Sequence, residues 1–239
     1  MTVGLDMCLD RFPLVRGTVG GRKRTLTPKN FNAVDSWIEY QEYLKKPLRE
    51  DETEKCKWEE WSGNSEYLPD EETLKELEPY IQVRYWFWDI EHNYPHTMIN
   101  EQVGYWRKAN AIHNWFVENI QGGEDDCDYH RPITECDLEG LRDTCQEVLD
   151  SLGLVDGKVA NGYTIDENMQ KVYNYEDGMV ATNTELAEEL LPSCSGFFFG
   201  STDYDEYYAE DLKDTIDICN KVLETTDFTK QQIFYCSSW

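Results

Sequence analysis

Val3-Gly-Leu-Asp-Met-Cys-Leu9 reads as an opening strand, and Gln232-Ile-Phe-Tyr-Cys236 as a closing one. Both are short apolar runs with β-branched or aromatic content, bounded by polar segments. The long stretch between them is dominated by helical periodicity. Phe31, Val34, Trp37, Ile38, Gln41 and Leu44 recur at helical spacing behind Thr27-Pro28, a capping hydroxyl followed by a proline at the first turn, so the pattern predicts a helix over 28–45. A shorter helix is expected at Asp70–Leu77, stopped by Pro79, and a strand at Tyr80–Trp88. Gln102 to Ile120 carries the clearest helical pattern of the first half, closed by Gly122-Gly123. Thr134-Glu-Cys-Asp137 is a capping box ahead of the stripe Leu138, Leu141, Cys145, Val148 and Leu152. Residues 154–178, rich in Gly and Asn turn signals, suggest one or two short strands. Thr184-Glu185 opens a short helix that Pro192 stops. Thr202 with Asp205 opens a long helix with Tyr208, Leu212, Thr215, Cys219 and Val222 on its core side. The expectation is a single α+β domain over 1–239, with a small sheet that includes the first and last strands and is packed by several amphipathic helices.

Charge narrows the partners. The 239 residues hold 22 Lys and Arg against 48 Asp and Glu, for a formal net charge of −26. Residues 1–50 hold nine basic and six acidic side chains, so the excess of acid lies entirely in the remainder. Such a body repels nucleic acid and anionic membrane surfaces and attracts basic proteins. With aromatic residues at 13%, an acidic disordered tail is excluded. No apolar run approaches the ~18 residues of a membrane span, and no leader-like segment is seen, so neither membrane nor translocation is expected. The eight cysteines are sparse for a chain this long and read as free thiols in a reducing compartment. The basic stretch 16–24, with Gly17, Gly20 and Gly21, reads as a loop.

Four segments stand out together: Gly4-Leu-Asp-Met7, the helix-like Val103-Gly-Tyr-Trp-Arg-Lys-Ala-Asn-Ala-Ile-His113-Asn-Trp-Phe116, Ser195-Gly-Phe-Phe-Phe-Gly-Ser-Thr-Asp-Tyr-Asp205-Glu-Tyr-Tyr208, and Ser237-Ser-Trp239. In these segments the chain resembles an uncharacterised family of bacteriophage and prophage proteins. The family opens Gly-Leu-Asp-Met-Tyr-Leu, where this chain has Cys8. The resemblance implies a viral accessory protein working in the host cytoplasm, and it carries no functional residue across.

The chemistry concentrates in residues 102–120. As one helix, it would put Tyr105, Ala109, Ile112 and Phe116 on one face, and Val103, Trp106, Asn110, His113 and Val117 on the next. An amide and an imidazole then sit within an apolar stripe, where each needs a partner. Two readings stay open: core polar residues bonded to nearby backbone, or a ligand pocket. In the second, Trp106 and a phenylalanine of 197–199 such as Phe198 form apolar walls, Arg107 and Lys108 neutralise an anion, and Asn110 and His113 read polar edges. Asp6, Ser201, Thr202 and Tyr204 complete the candidate set. Gly200-Ser201-Thr202, leading into a helix, could receive an anion or simply cap it. The leading expectation is counter-defence by capture of a small nucleotide-like ligand.

Two alternatives belong to other classes. Asp203, Glu206, Glu210, Asp214 and Asp217 step by three and four, spacing carboxylates about 4.5–6 Å apart along one helix side. That row could imitate a nucleic-acid backbone and bind a basic host defence protein directly. A small nucleotide-directed hydrolase or transferase is the other, with Asp6, Asp205 and His113 as an acid–base set. Cys194 or Ser195 beside Gly196 lacks the Gly-x-Ser-x-Gly elbow of a nucleophile. Cys127, His130 and Cys136 lack paired zinc-ligand spacing, and His92 and His96 flank Pro95 without a protease-type glutamate. No catalytic residue, metal or cofactor is therefore assigned, and homo-oligomerisation stays open.

Overall fold

Alternating burial along Asp6–Pro13 makes strand β1 (Asp6–Pro13): Met7 and Leu9 are buried, while Asp6 and Cys8 on the opposite face are partly exposed. The computed structural model describes residues 4–48, 53–62, 67–84, 96–126, 130–196 and 198–239. It is an α+β fold, and its contacts separate two compact units that are discontinuous in sequence. Among the described residues no helix is long and apolar enough to cross a membrane.

The smaller unit holds Arg11–Glu101 and Asp227–Gln232. Its basic stretch is a hairpin, not the expected loop: β2 (Arg16–Val19) pairs antiparallel with β3 (Arg22–Thr25). Gly20 and Gly21, both at positive φ, supply the two-residue turn that suits strand twist. α1 (Pro28–Lys45) starts where Thr27-Pro28 predicts, with the Thr27 N–H donating to Asn30 Oδ1 at 3.0 Å. Phe31 stacks on Phe12, and Tyr40 and Tyr43 pack on the aromatic rings of α2 (Trp58–Trp61). α3 (Glu71–Leu77), capped by Asp70, runs into a 3-10 turn at Glu78–Tyr80. Of the strand expected at Tyr80–Trp88, β4 (Gln82–Arg84) is seen, paired with β5 (His96–Met98); Tyr80 belongs to the 3-10 turn and Ile81 follows it, while residues 85–88 lie outside the described residues, as does His92.

The larger unit comprises the chain up to Asp10, Gln102–Thr226 and Ile233–Trp239. Here the single helix expected over 102–120 is replaced by a strand and a helix, β6 (Glu101–Arg107) and α4 (Asn110–Asn119). Residues 103–107 alternate in burial with period two, so Gly104 and Trp106 face inward and Tyr105 and Arg107 outward. Gly104 marks a close approach: a Cβ there would lie 2.7 Å from the Ile218 side chain, which would have to shift to admit it. The break falls at Lys108, held at φ +63 in the left-handed region.

β7 (Arg131–Ile133) leads through Thr134, whose side chain accepts the Asp137 N–H, into α5 (Glu135–Ser151); the predicted stripe from Leu138 to Leu152 is buried throughout. The stretch read as short strands is one long hairpin, β8 (Leu154–Ile165) against β9 (Lys171–Ala181). Its interior Gly157 and Gly178 face each other, and the ladder slips between Ala160 and Tyr163, so residues that look like turns are strand positions and a bulge. α6 (Glu185–Leu190) precedes a loop, then α7 (Glu206–Thr225), which packs on α5. Its cap is Asp205 alone, bonded to the Tyr207 and Tyr208 N–H groups, rather than the Thr202–Asp205 box expected. β10 (Gln231–Ser238) completes a sheet in the order β6-β1-β10-β7, so the first and last strands are neighbours. Phe116 of α4 stacks on Tyr235 of β10 with 3.9 Å between centroids, fixing the helix to the sheet.

Candidate functional site

In the larger unit a cleft of about 560 Å³ opens between the turn after β6, the tip half of the β8–β9 hairpin, the loop 193–201 and the first turns of α7. Arg107, Lys108, Asn110 and Ser201 of the predicted set line it. Asp6, Trp106, His113, Phe198, Thr202 and Tyr204 do not.

The reasons lie in hydrogen bonding. Asn110 is saturated by main chain: its Nδ2 donates to the carbonyls of Phe199 (3.1 Å) and Ser201 (2.7 Å), and its Oδ1 accepts from the Cys194 N–H (3.0 Å). His113, 1% exposed, has both ring nitrogens occupied. Asp125, an acceptor, fixes Nε2 as donor at 3.0 Å, and Nδ1 meets the Tyr235 hydroxyl at 2.7 Å. Trp239 Nε1 donates to the same Asp125 oxygen at 2.9 Å. The amide is thus a core group bonded to backbone, as one of the two readings expected, whereas the imidazole, also buried, is met by two side chains instead of backbone. Trp106, 4% exposed, spends its N–H on Thr215 Oγ1 (2.9 Å) and offers no stacking surface.

Other candidates are tied to neighbours. Asp6 pairs with Arg107 at 3.0 Å and accepts the Tyr105 hydroxyl. The Phe198 carbonyl accepts the Leu5 N–H, and the Thr202 carbonyl accepts Ser193 Oγ. Tyr204 packs edge-on against Tyr208. Asp6, Asp205 and His113 thus have separate partners and form no acid–base set. Cys194 donates its thiol to the Asn110 carbonyl, and burial pushes it up to about 11, away from nucleophile chemistry.

The acidic row is divided as well. Asp203 lies ahead of α7, Glu206 accepts the Met179 N–H at 3.1 Å, and Asp217 lines a separate groove with Tyr105 and Lys221. Glu210 and Asp214 do line the cleft, with Asp203 and with two carboxylates that helical spacing did not single out, Asp205 and Asp211. Asp205 is 2% exposed; its Oδ1 takes two backbone N–H groups, and its buried Oδ2 has no partner. Desolvation raises its carboxyl, aided by Asp203 and Glu206. Desolvation, then Asp214, Asp205 and Glu210, push Asp211 up to about 7. Five carboxylates thus face two cations, of which Arg107 is already paired. Tyr163, Tyr173, Tyr207 and Tyr208 add aromatic walls.

No family model matches the chain, and no curated protein or solved structure does either. The cleft's chemistry therefore rests on its own residues. A space lined by unneutralised carboxylates and tyrosine rings suits an ammonium or guanidinium group, which gains from both charge and π-face contact. His130 is placed apart from the cleft. Of the sequence-read zinc trio, Cys127 lies outside the described residues and Cys136 is exposed on α5; His130 instead meets Asp10 (3.6 Å) and comes close to Cys236.

Proposed function

We propose that this protein is a binding protein whose acidic cleft accepts lysine or arginine side chains of a basic partner. The observation that carries this reading is the Asp205 carboxylate, buried with one oxygen unpartnered beside Asp211, in a lining where acid outnumbers base. An uncompensated buried carboxylate is costly, and an entering cation removes that cost. This is the direct-binding alternative in a changed form, a concave acidic site in place of a row along a helix. In the viral setting implied by the resemblance, the partner is a basic host defence protein met in the host cytoplasm.

A nucleotide-like ligand is the second reading. It is favoured by Lys108, which lines the cleft beside Gly200 and makes no ion pair among the described residues. Titration calorimetry separates the two. An Arg/Lys-rich peptide should bind with affinity that falls steeply with salt, and Asp205→Asn with Asp211→Asn should weaken it roughly tenfold or more. Uptake of a cyclic nucleotide or ADP-ribose, with no heat from the peptide, reverses the assignment.

A further inference from the structure

On the far side of the sheet from α4, three adjacent strands bring a second set of groups together. Asp10 lies on β1, Cys236 on the neighbouring β10, and His130 immediately before β7. The Asp10 carboxylate, the His130 imidazole and the Cys236 thiol each offer a ligand atom within 4.8 Å of the other two. His130 Nε2 is 3.6 Å from Asp10 Oδ2, and Cys236 Sγ is 3.8 Å from that same oxygen. Cys8, two residues before Asp10 and so on the same strand face, is hydrogen-bonded to the Cys236 thiol and accepts from Gln102 Nε2 at 3.0 Å.

These separations match a particular coordination geometry. Zinc–ligand bonds of about 2.0–2.3 Å arranged tetrahedrally put neighbouring ligand atoms roughly 3.3–3.8 Å apart. The two separations from Asp10 Oδ2 fall within that range before any metal is bound. The donor set is also chemically apt. Thiolate, imidazole and carboxylate together suit a borderline ion such as Zn²⁺, whereas Mg²⁺ and Ca²⁺ prefer oxygen alone. Asp10 is buried and His130 partly exposed, giving a sheltered site with one side open to water.

We infer that Asp10, His130 and Cys236 form a three-ligand Zn²⁺-class binding site that ties strands β1, β10 and β7 together. On binding, the Cys236 thiol releases its proton to solvent and the metal takes the thiolate, so no oxidant is involved. Three protein ligands leave the fourth tetrahedral position to water on the side where His130 is partly exposed. None of these residues lines the acidic cleft, so the inference stands or falls separately from the proposed function.

The test uses the full chain, reduced and stripped of metal, titrated with Co²⁺ and Zn²⁺ alone. One equivalent of Co²⁺ should bind with a thiolate charge-transfer band and the d–d intensity of tetrahedral coordination, and Zn²⁺ should displace it. Cys236→Ser and His130→Ala should each weaken binding roughly tenfold or more. Cys136→Ser, an exposed thiol elsewhere, should leave it unchanged. The wild-type spectrum reads out the site even where a variant folds poorly. Absence of the thiolate band in the wild type overturns the inference, as does binding that survives both ligand substitutions or is lost in Cys136→Ser.

Discussion

Two groups of sheltered polar side chains meet around the cleft of the larger unit, and they differ in one respect. Asn110 and His113 have their hydrogen-bonding groups met by other parts of the chain: Phe199, Ser201 and Cys194 for the amide, Tyr235 and Asp125 for the imidazole. Asp205 and Asp211 do not; one leaves a buried oxygen unpaired and the other is driven towards neutrality by desolvation and then by its acidic neighbours. The first pair is therefore part of the scaffold. The second is held in an unfavourable state by the fold, as expected where a protein keeps a site ready for something it does not itself contain.

Breaking the saturated group should have the largest effect on folding. Asn110→Ala strands the Cys194 N–H and leaves two carbonyls without their donor, all in a sheltered place. The expected loss is roughly 3–4 kcal/mol, read from the denaturant midpoint. It would show that the amide serves the loop 193–201 and not a ligand.

The unsatisfied group should respond in the opposite direction. Asp211 titrates near 7 folded and near 3.8 unfolded, so the folded state holds its proton more tightly. Stability should then fall as pH rises from about 4 to about 7, with the penalty fully present above that window. Asp211→Asn should flatten the slope, leaving the part due to Asp205, and stabilise the protein at pH 8 by on the order of 2–3 kcal/mol, with little effect at pH 4. Thermal melts of both proteins across this range check it. A wild-type stability that instead rises between pH 4 and 7, with no gain from the substitution, would mean that Asp211 is well solvated.

The contrast also explains what could be read in advance. Helices with a strict apolar stripe and a cap, α1 and α5 above all, lie where spacing puts them, because burial and capping agree there. Over residues 102–109 the linear pattern is ambiguous, because Val-Gly-Tyr-Trp-Arg fits helical spacing as well as strand alternation. Long-range packing distinguishes them: the strand pairs with β1, and Gly104 comes close to Ile218, more than a hundred positions away. Helical spacing puts Trp106 on one face with Asn110 and His113, whereas the strand and helix of the fold separate it from them. The need for partners at Asn110 and His113 was legible; the partners, drawn from residues 125, 194–201 and 235, were not. Asp211 escaped notice because it falls between the spaced acids, and only the folded hairpin shelters it. Asp10, His130 and Cys236 carry no local motif, since their proximity is a product of strand order.

Trp239 tests how far the saturated network extends. Its indole N–H shares Asp125 with His113, and its ring packs edge-on against Phe199 at 5.7 Å. Trp239→Phe keeps most of the ring contact and removes one hydrogen bond, so a loss of about 1 kcal/mol is expected. Hydrogen exchange at the loop around Phe199 should quicken with it.

The smallest effect expected is at the hinge between the two groups. Lys108 occupies a left-handed conformation, its carbonyl accepting the Asn110 N–H at 2.8 Å, and it lies between strand β6 and the saturated amide while lining the unsatisfied cleft. A side chain at such a φ carries a strain that glycine lacks. If Lys108 is only a structural junction, Lys108→Gly should stabilise the fold by up to about 1 kcal/mol and leave cleft binding alone. Should the lysine instead help to set the charge of the cleft, removing it makes the lining more acidic, and peptide affinity should rise severalfold at low salt. Measured side by side, the two quantities assign Lys108 to the scaffold or to the site. A variant that weakens peptide binding would count against cation recognition altogether, because losing a positive charge cannot disfavour a positive ligand by electrostatics.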